Sequence, residues 1–457
     1  MIGHFRSSIP TASGGRPLLG HSLRLWRDPW AFLTSLPSQS STLIRVRLGP
    51  LSTVVVCDPA LTRQVLRDDR VFDKGGPLFE VARRVVGDNV ITVPHDEHRN
   101  RRRRIQASFH RTRLPGYARA MSVEIDAITA EWEACRNIEV VPEMLRLTTR
   151  CFLAAMFSES LAPSHLDRAV NDVTAIVDGL YLELLTPRWF KWVPTRGNRR
   201  YRAAQRSLRR LIDQFIEQRF LWDDDTDGLL ATLLAEQHGT ANNSLPMNAS
   251  VLYDQLMAFF IAGSETTASV LSWAIHLLSS HPDILTEVEA EADRVLLHGL
   301  AHYEHFAELT LTRRVLAETL RLYPPGWLFT RTVTTDTRLD GHLLPKGTPV
   351  MYSPYLLHRL EREFSDAEKF DPDRWKRGEV TRHPMSYLPF GAGPRRCAGE
   401  DFALTEAVLT LATIVRRWHL NPPTKTIRPT VAMALHPTQF RIQLTARMAP
   451  EVARSTS

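Results

Sequence analysis

The pattern of apolar and polar positions begins with the period of a strand. Leu43-Ile-Arg-Val-Arg-Leu48 and Thr53-Val-Val-Val-Cys57 are rich in β-branched residues and flank a Gly49-Pro50 turn, which predicts a β-hairpin. From about residue 60 to 330 the apolar positions recur at helical spacing. Two short β-rich patches follow near 332–352, and another lies near 430–445. This order predicts a mainly α fold with small β-sheets. Residues 1–18, rich in Gly, Pro and Ser, predict a flexible N-terminal segment, and 19–457 a single domain.

The longest helical stretch runs from about Ser250 to Ser280 and is ended by His281-Pro282. At its usual rise it would be about 45 Å long. It is apolar nearly all round, which predicts burial. Its middle nevertheless carries Ala262-Gly-Ser-Glu-Thr-Thr267. A buried charge is costly without a partner or a task, and Gly beside Ser/Thr marks a candidate kink. A second helix, about Leu311 to Leu322, is stopped by Pro324-Pro325. Glu318 and Arg321 share one of its faces and can pair, although such a spacing most often marks a solvated surface pair.

The composition changes this picture little: of 457 residues, 43% are apolar and 23% charged, as in ordinary globular proteins. The net charge of +7 is too diffuse to name a nucleic-acid binder. Four cysteines, none in a CxxC pair, predict a reducing compartment and hence a cytoplasmic protein. The N-terminus lacks the apolar core of a signal peptide. No run of about 18 apolar residues predicts a membrane span.

The segment Phe390-Gly-Ala-Gly-Pro-Arg-Arg-Cys-Ala-Gly399 is the most informative. Gly391, Gly393 and Pro394 cannot continue a helix or strand, so it is a shaped loop. A helical pattern begins after it with Phe402, Ala403, Ala407, Val408 and Leu411. Cys397 therefore sits near a helix N-terminus beside Arg395 and Arg396, both of which would favour a thiolate suited to a soft metal. A lone cysteine is more often structural; here the surrounding pattern decides.

The spacing Fx2GxRxCxG resembles the haem-binding loop of the cytochrome P-450 family. Ala262-Gly-Ser-Glu-Thr-Thr267 resembles the oxygen-binding segment of the family's central helix, and Glu318-Thr-Leu-Arg321 its ExxR pair. Phe370-Asp-Pro-Asp-Arg-Trp375 resembles the segment whose arginine completes a Glu-Arg-Arg cluster, and His98-Arg-Asn-Arg-Arg102 an early HxxxR. The resemblance runs from Pro17-Leu-Leu-Gly-His21 to the terminal strands. It implies the P-450 fold, with haem b between the long central helix and the cysteine loop, and a haem-thiolate monooxygenase using O2 and electrons from NAD(P)H.

Residue by residue, the resemblance implies Cys397 as the iron's axial ligand. Phe390 would pack near the sulfur, Gly399 would allow close approach of the haem, and Gly263 would leave room for dioxygen. Thr266 would hydrogen-bond dioxygen, and Glu265 would relay protons to it. His98, Arg102, Arg331 and Arg395 would bind the propionates. Glu318, Arg321 and Arg374 would form a structural network. The substrate pocket would be apolar, with Phe79, Leu180, Ala262, Trp327 and Leu328 as candidate lining and a mobile lid between about 175 and 200, carrying Tyr181 and Trp189-Phe-Lys-Trp192.

The run Arg101-Arg-Arg-Arg104 could suggest a nucleic-acid patch. With the resemblance, haem anchoring by Arg102 is preferred, its neighbours helping to dock an acidic electron donor. His95 and His98 lack further ligands for a separate metal site. The chain shows no P-loop or dinucleotide fingerprint, so a separate ferredoxin and ferredoxin reductase are expected, acting on a monomer. Phe72-Asp-Lys-Gly-Gly-Pro77, Pro194-Thr-Arg-Gly-Asn-Arg-Arg200 and Leu322-Tyr-Pro-Pro-Gly-Trp327 resemble members that oxidise cyclic terpenes. The expected substrate is a sesqui- or diterpene of specialised or antibiotic metabolism. The alternatives are a fatty acid, a steroid, a macrolide-type substrate, or a haem-thiolate reaction other than hydroxylation.

Overall fold

The computed structural model describes residues 8–447 apart from 76, 133–136, 158–167, 177, 180–185, 187–191, 221–228, 230–248, 298, 378–384 and 431–433. The hairpin forms as the pattern predicts. Leu43–Leu48 (β1) pairs antiparallel with Leu51–Val56 (β2), Leu48 facing Leu51. Gly49 takes φ +60°, which glycine adopts without strain. Phe72–Asp73 (β3), Phe329–Val333 (β4) and Pro349–Tyr352 (β5) complete a sheet of order β1-β2-β5-β4-β3. Pairing is antiparallel except between β2 and β5.

The described part of the segment expected to be flexible is held on this sheet. The Ala12 N–H donates to Arg45 O at 2.9 Å, and the Arg45 N–H donates to Pro10 O at 2.7 Å. Ile9 and Ala12 are buried. The free edge of β1 presents unpaired backbone groups, and residues 9–12 satisfy them. A composition rich in Gly, Pro and Ser carries no trace of that long-range pairing.

Among the helices, those that frame the core and the site are His95–Gln106 (α1), Leu114–Ala130 (α2), Val140–Phe157 (α3), Arg196–Phe220 (α4), Ala249–Ser279 (α5), Pro282–Val295 (α6), Thr310–Leu322 (α7) and Glu400–Arg417 (α8). The 31-residue α5 is the axis of the largest apolar core, with α3, α7 and α8 packed against it. It stays helical through its polar cluster, where local and neighbouring groups meet part of the polar surface. Thr266 Oγ1 donates to Ala262 O at 2.6 Å, and Thr148 Oγ1 of α3 donates to Ser264 O at 2.8 Å. Ser269 Oγ and Trp273 Nε1 both donate to Leu435 O, at 2.8 and 2.6 Å. Those two bonds tie α5 to a small hairpin of Pro429–Thr430 (β6) and His436–Pro437 (β7).

Gly263 serves this packing. A Cβ there would lie 2.5 Å from the Phe152 ring of α3. Its glycine is thus required by the close approach of two helices, and it also lines the cavity described below. No helix among the described residues is long and apolar enough to cross a membrane.

Candidate active site

The cysteine loop is shaped by its glycines. Gly391 and Gly393 have φ of +71° and +69°. A Cβ on Gly393 would also fall 2.2 Å from Leu66 O, so only glycine fits there. The Cys397 N–H donates to Phe390 O at 2.9 Å and closes the loop. Helix α8 then starts at Glu400, with Gly399 as its cap. Cys397, Phe390 and Gly399 all line a cavity of about 330 Å³, into which α5 presents Ala262, Gly263, Thr266 and Thr267. Phe152, Phe259, Val270, Leu320 and Phe329 give it apolar walls.

The thiol differs from expectation in one respect. Burial raises the Cys397 pKa, and the Gly399 N–H, Arg102 and Arg396 offset it only in part. Although its surface is open to the cavity, protein encloses it otherwise. Loss of bulk water outweighs the nearby cations.

Cations crowd the same cavity. Lys74, His98, Arg102, Arg331 and Arg395 all line it. Burial, reinforced by Arg331 and Arg395, holds the Lys74 pKa well below the usual lysine range. Burial, reinforced by Arg395 and Lys74, pushes His98 down to about 3. Arg395 gives its donors to Asp69 at 3.1 Å, Asp73 at 3.0 Å and Val93 O at 2.8 Å, so its charge is largely met within the protein. Lys74, which the sequence reading did not single out, lines the cavity beside it. No described carboxylate pairs with Arg102 or Arg331. Uncompensated buried positive charge calls for anions. A sulfur donor, an apolar interior and this cation group together fit haem, with its iron, macrocycle and two propionates.

Glu318, Arg321 and Arg374 come together as expected, wholly buried. Glu318 Oε1 accepts from Arg321 Nη2 at 2.8 Å and Arg374 Nε at 3.0 Å, and Oε2 accepts from Arg321 Nε and Trp375 Nε1, each at 2.9 Å. Thr266 lines the cavity, whereas Glu265 does not; its carboxylate meets His436 Nε2 at 3.3 Å.

Of the expected substrate contacts, Ala262 lines the cavity. Phe79 lies behind it, under Lys74 at 4.9 Å and Arg331 at 6.0 Å. Trp327 and Leu328 pack into the core beneath the sheet, Trp327 against Trp30 with ring centroids 5.0 Å apart. The strand alternation starts only at Phe329, so Phe329 and Arg331 are the residues that reach the cavity. Leu180, Tyr181 and most of the expected lid lie outside the described residues. In the arginine run, Arg102 faces the cavity while Arg101 pairs with Glu97 at 2.7 Å and Arg103 is exposed. His95 lies 3.0 Å from Asp69, apart from the cavity lining.

Glu406, on α8, is another residue the sequence reading missed. It is fully buried beside Thr267, and no described residue makes a geometric hydrogen bond to its carboxyl. Burial raises its pKa well above the carboxylate range, so it is protonated. The stability of a neutral acid is fully present below the unfolded carboxylate pKa and is lost as pH rises through the folded one. Relative to Glu406→Gln, the native protein should lose stability as pH rises above the ordinary carboxylate range. Urea midpoints of the two proteins through that rise check this; parallel pH profiles would exclude a buried neutral acid.

Comparison with known proteins was made against this geometry. A family profile described as Cytochrome P450 matches residues 10–444. Pentalenene oxygenase of Streptomyces avermitilis is 37% identical over 442 residues, covering 96% of this chain and 97% of that protein. Cyclooctatin synthase of Streptomyces melanosporofaciens is 41% identical, covering 94% of each chain. Cyclooctat-9-en-7-ol 5-monooxygenase of the same organism is 40% identical, covering 90% of this chain and 89% of that one.

Proposed function

The chain belongs to the cytochrome P450 family and is a haem-thiolate monooxygenase; from that premise we propose that it oxidises a cyclic sesqui- or diterpene in specialised metabolism. One observation carries the substrate class. Relatives matched over at least nine-tenths of this chain are named for pentalenene and cyclooctat-9-en-7-ol, both polycyclic terpenoids. The apolar rings of Phe152, Phe259 and Phe329 suit a compact hydrocarbon with few polar handles.

The balanced reaction is R–H + O2 + NAD(P)H + H⁺ → R–OH + H2O + NAD(P)⁺. Haem b, when bound, supplies the activation of dioxygen. The protein's own residues do the rest. Cys397 would hold the iron, Phe390 would flank its sulfur, and Gly399 would let the chain come close. Lys74, Arg102 and Arg331, with Arg395 behind them, would meet the propionates, and His98 would add a hydrogen bond. Thr266 stands in the cavity wall, where its hydroxyl, now on Ala262 O, would serve dioxygen, and Glu265 supplies protons from the far side of α5. Apolar walls exclude water, so protons enter only where the protein delivers them. Electrons reach the monomer in the cytoplasm from a ferredoxin and its reductase. Arg103 and the neighbouring basic surface face such an acidic partner, which makes reduction slower as salt rises.

A spectral titration of the haem-loaded protein tests the substrate class. Pentalenene or cyclooctat-9-en-7-ol should displace water and shift the iron from low to high spin. No shift with either, but a shift with a fatty acid, steroid or macrolide, would remove the terpene reading.

A further inference from the structure

We propose that His436 is the positioning and proton-exchange partner of Glu265, linking the inner carboxylate to solvent through the β6–β7 hairpin. This rests on the oxygenase reading above and extends it to a residue that no sequence pattern marks.

Glu265 is 6% exposed, in the middle of α5. Its neighbour Thr266 faces the cavity, while Glu265 is absent from the cavity lining and turns toward β7. A buried carboxylate needs a partner. Among the described residues its side-chain partner is His436, at 3.3 Å from Nε2 to Oε1. His436 is held from behind: Thr430 Oγ1 donates to its carbonyl at 2.9 Å, and the adjacent Leu435 carbonyl is pinned to Ser269 and Trp273 of α5. The ring is therefore fixed against α5 by groups other than its own imidazole.

That fixed ring bridges two environments. Its side chain keeps 15% exposure, so one edge approaches solvent while Nε2 reaches the interior. Its Nδ1 is buried with no described hydrogen-bond partner. Imidazole is the side chain that takes and gives protons near neutral pH. The other charge facing this carboxylate is Asp178. Its pKa is raised by partial burial and by the Glu265 charge, against the pull of Arg200 on α4.

Two variants separate relay from mere support. His436→Gln keeps a side-chain donor for Glu265 but cannot exchange protons, whereas His436→Ala removes both. The haem-loaded proteins are reduced by NADPH through spinach ferredoxin and its reductase, and NADPH consumption is followed against pH in light and heavy water. Both variants should keep the wild-type reduced carbon-monoxide spectrum. Both should slow consumption about 10-fold or more and flatten its pH profile, with a larger solvent isotope effect. A second readout needs no turnover. In the diamagnetic carbon-monoxide form, the nitrogen-15 shift of the His436 ring should titrate with a midpoint that falls when Glu265→Gln removes the carboxylate. A Gln variant with wild-type rate, pH profile and isotope effect would overturn the proposal, as would a ring midpoint indifferent to Glu265. Neither readout requires a terpene, so failure of the substrate reading stays distinguishable.

Discussion

Cys397→Ala should abolish the thiolate-type reduced carbon-monoxide spectrum and all oxygenation, while the protein still folds. The cavity wall explains both halves of this expectation. Cys397 is the only sulfur lining the cavity among the described residues, and the loop is closed by its backbone N–H on Phe390 O, which alanine retains. The positive φ values belong to Gly391 and Gly393, so no backbone strain depends on the sulfur. The other described cysteines predict the contrast. Cys57 is buried in the core beneath the sheet, its thiol pushed up to about 12 by burial. Cys151 is buried in the main core, also raised by burial. Alanine at either should cost on the order of 1 kcal/mol for the lost packing and leave spectrum and activity intact. Difference spectra of the three variants, each normalised to haem content, check this. A thiolate spectrum surviving in Cys397→Ala would contradict the ligand assignment.

Glu318→Ala should be the most destabilising single change outside the cavity. Glu318 receives four side-chain donors, from Arg321 (two), Arg374 and Trp375, together with the Asp371 N–H at 3.1 Å. Arg321 in turn donates to the carbonyls of His358 at 2.9 Å and Ala367 at 2.6 Å. Both guanidiniums and the carboxylate are at most 1% exposed. Removing the carboxylate leaves two buried cations facing each other, at a cost of about 3–5 kcal/mol. Native proteins hold only about 5–15 kcal/mol in total, so much of the chain should emerge without haem. The exposed pair Arg441–Glu139 provides the control. Glu139→Ala should cost about 0–1 kcal/mol because water screens that pair. Thermal midpoints and haem content measure both. Equal effects at the two sites would show that burial of the triad carries no special weight.

Much of this was legible in the sequence because it is written locally. The hairpin needs only alternation and a Gly-Pro turn, and α5 needs only a long apolar run ended by Pro282. The cysteine loop is marked by glycines that the backbone requires at those positions. The surface reading of Glu318 and Arg321, favoured for that spacing alone, gave way because His358, Ala367 and Arg374 enclose the pair, and none is near in sequence.

What stayed hidden depends on distant segments. Lys74 becomes a cavity cation only because β3 lies beside β4. His436 matters only because Leu435 is fastened to α5. Trp327 and Leu328, expected by position, are absent from the described cavity lining, which takes Phe329 and Arg331 from the same stretch. The thiol pKa of Cys397 went the other way because nearby arginines can be read from sequence, whereas enclosure by Phe390, Phe402 and α5 cannot.

The central claim is that a cavity between Cys397 and Thr266 inserts one atom of dioxygen into a cyclic terpene. Its most direct test is mass analysis of the product when the haem-loaded protein, NADPH and a ferredoxin couple turn over pentalenene or cyclooctat-9-en-7-ol under isotopically labelled dioxygen. The account predicts one labelled oxygen atom per oxidation in the terpene product. A product labelled from water, or no terpene oxidation alongside turnover of a fatty acid, would contradict it.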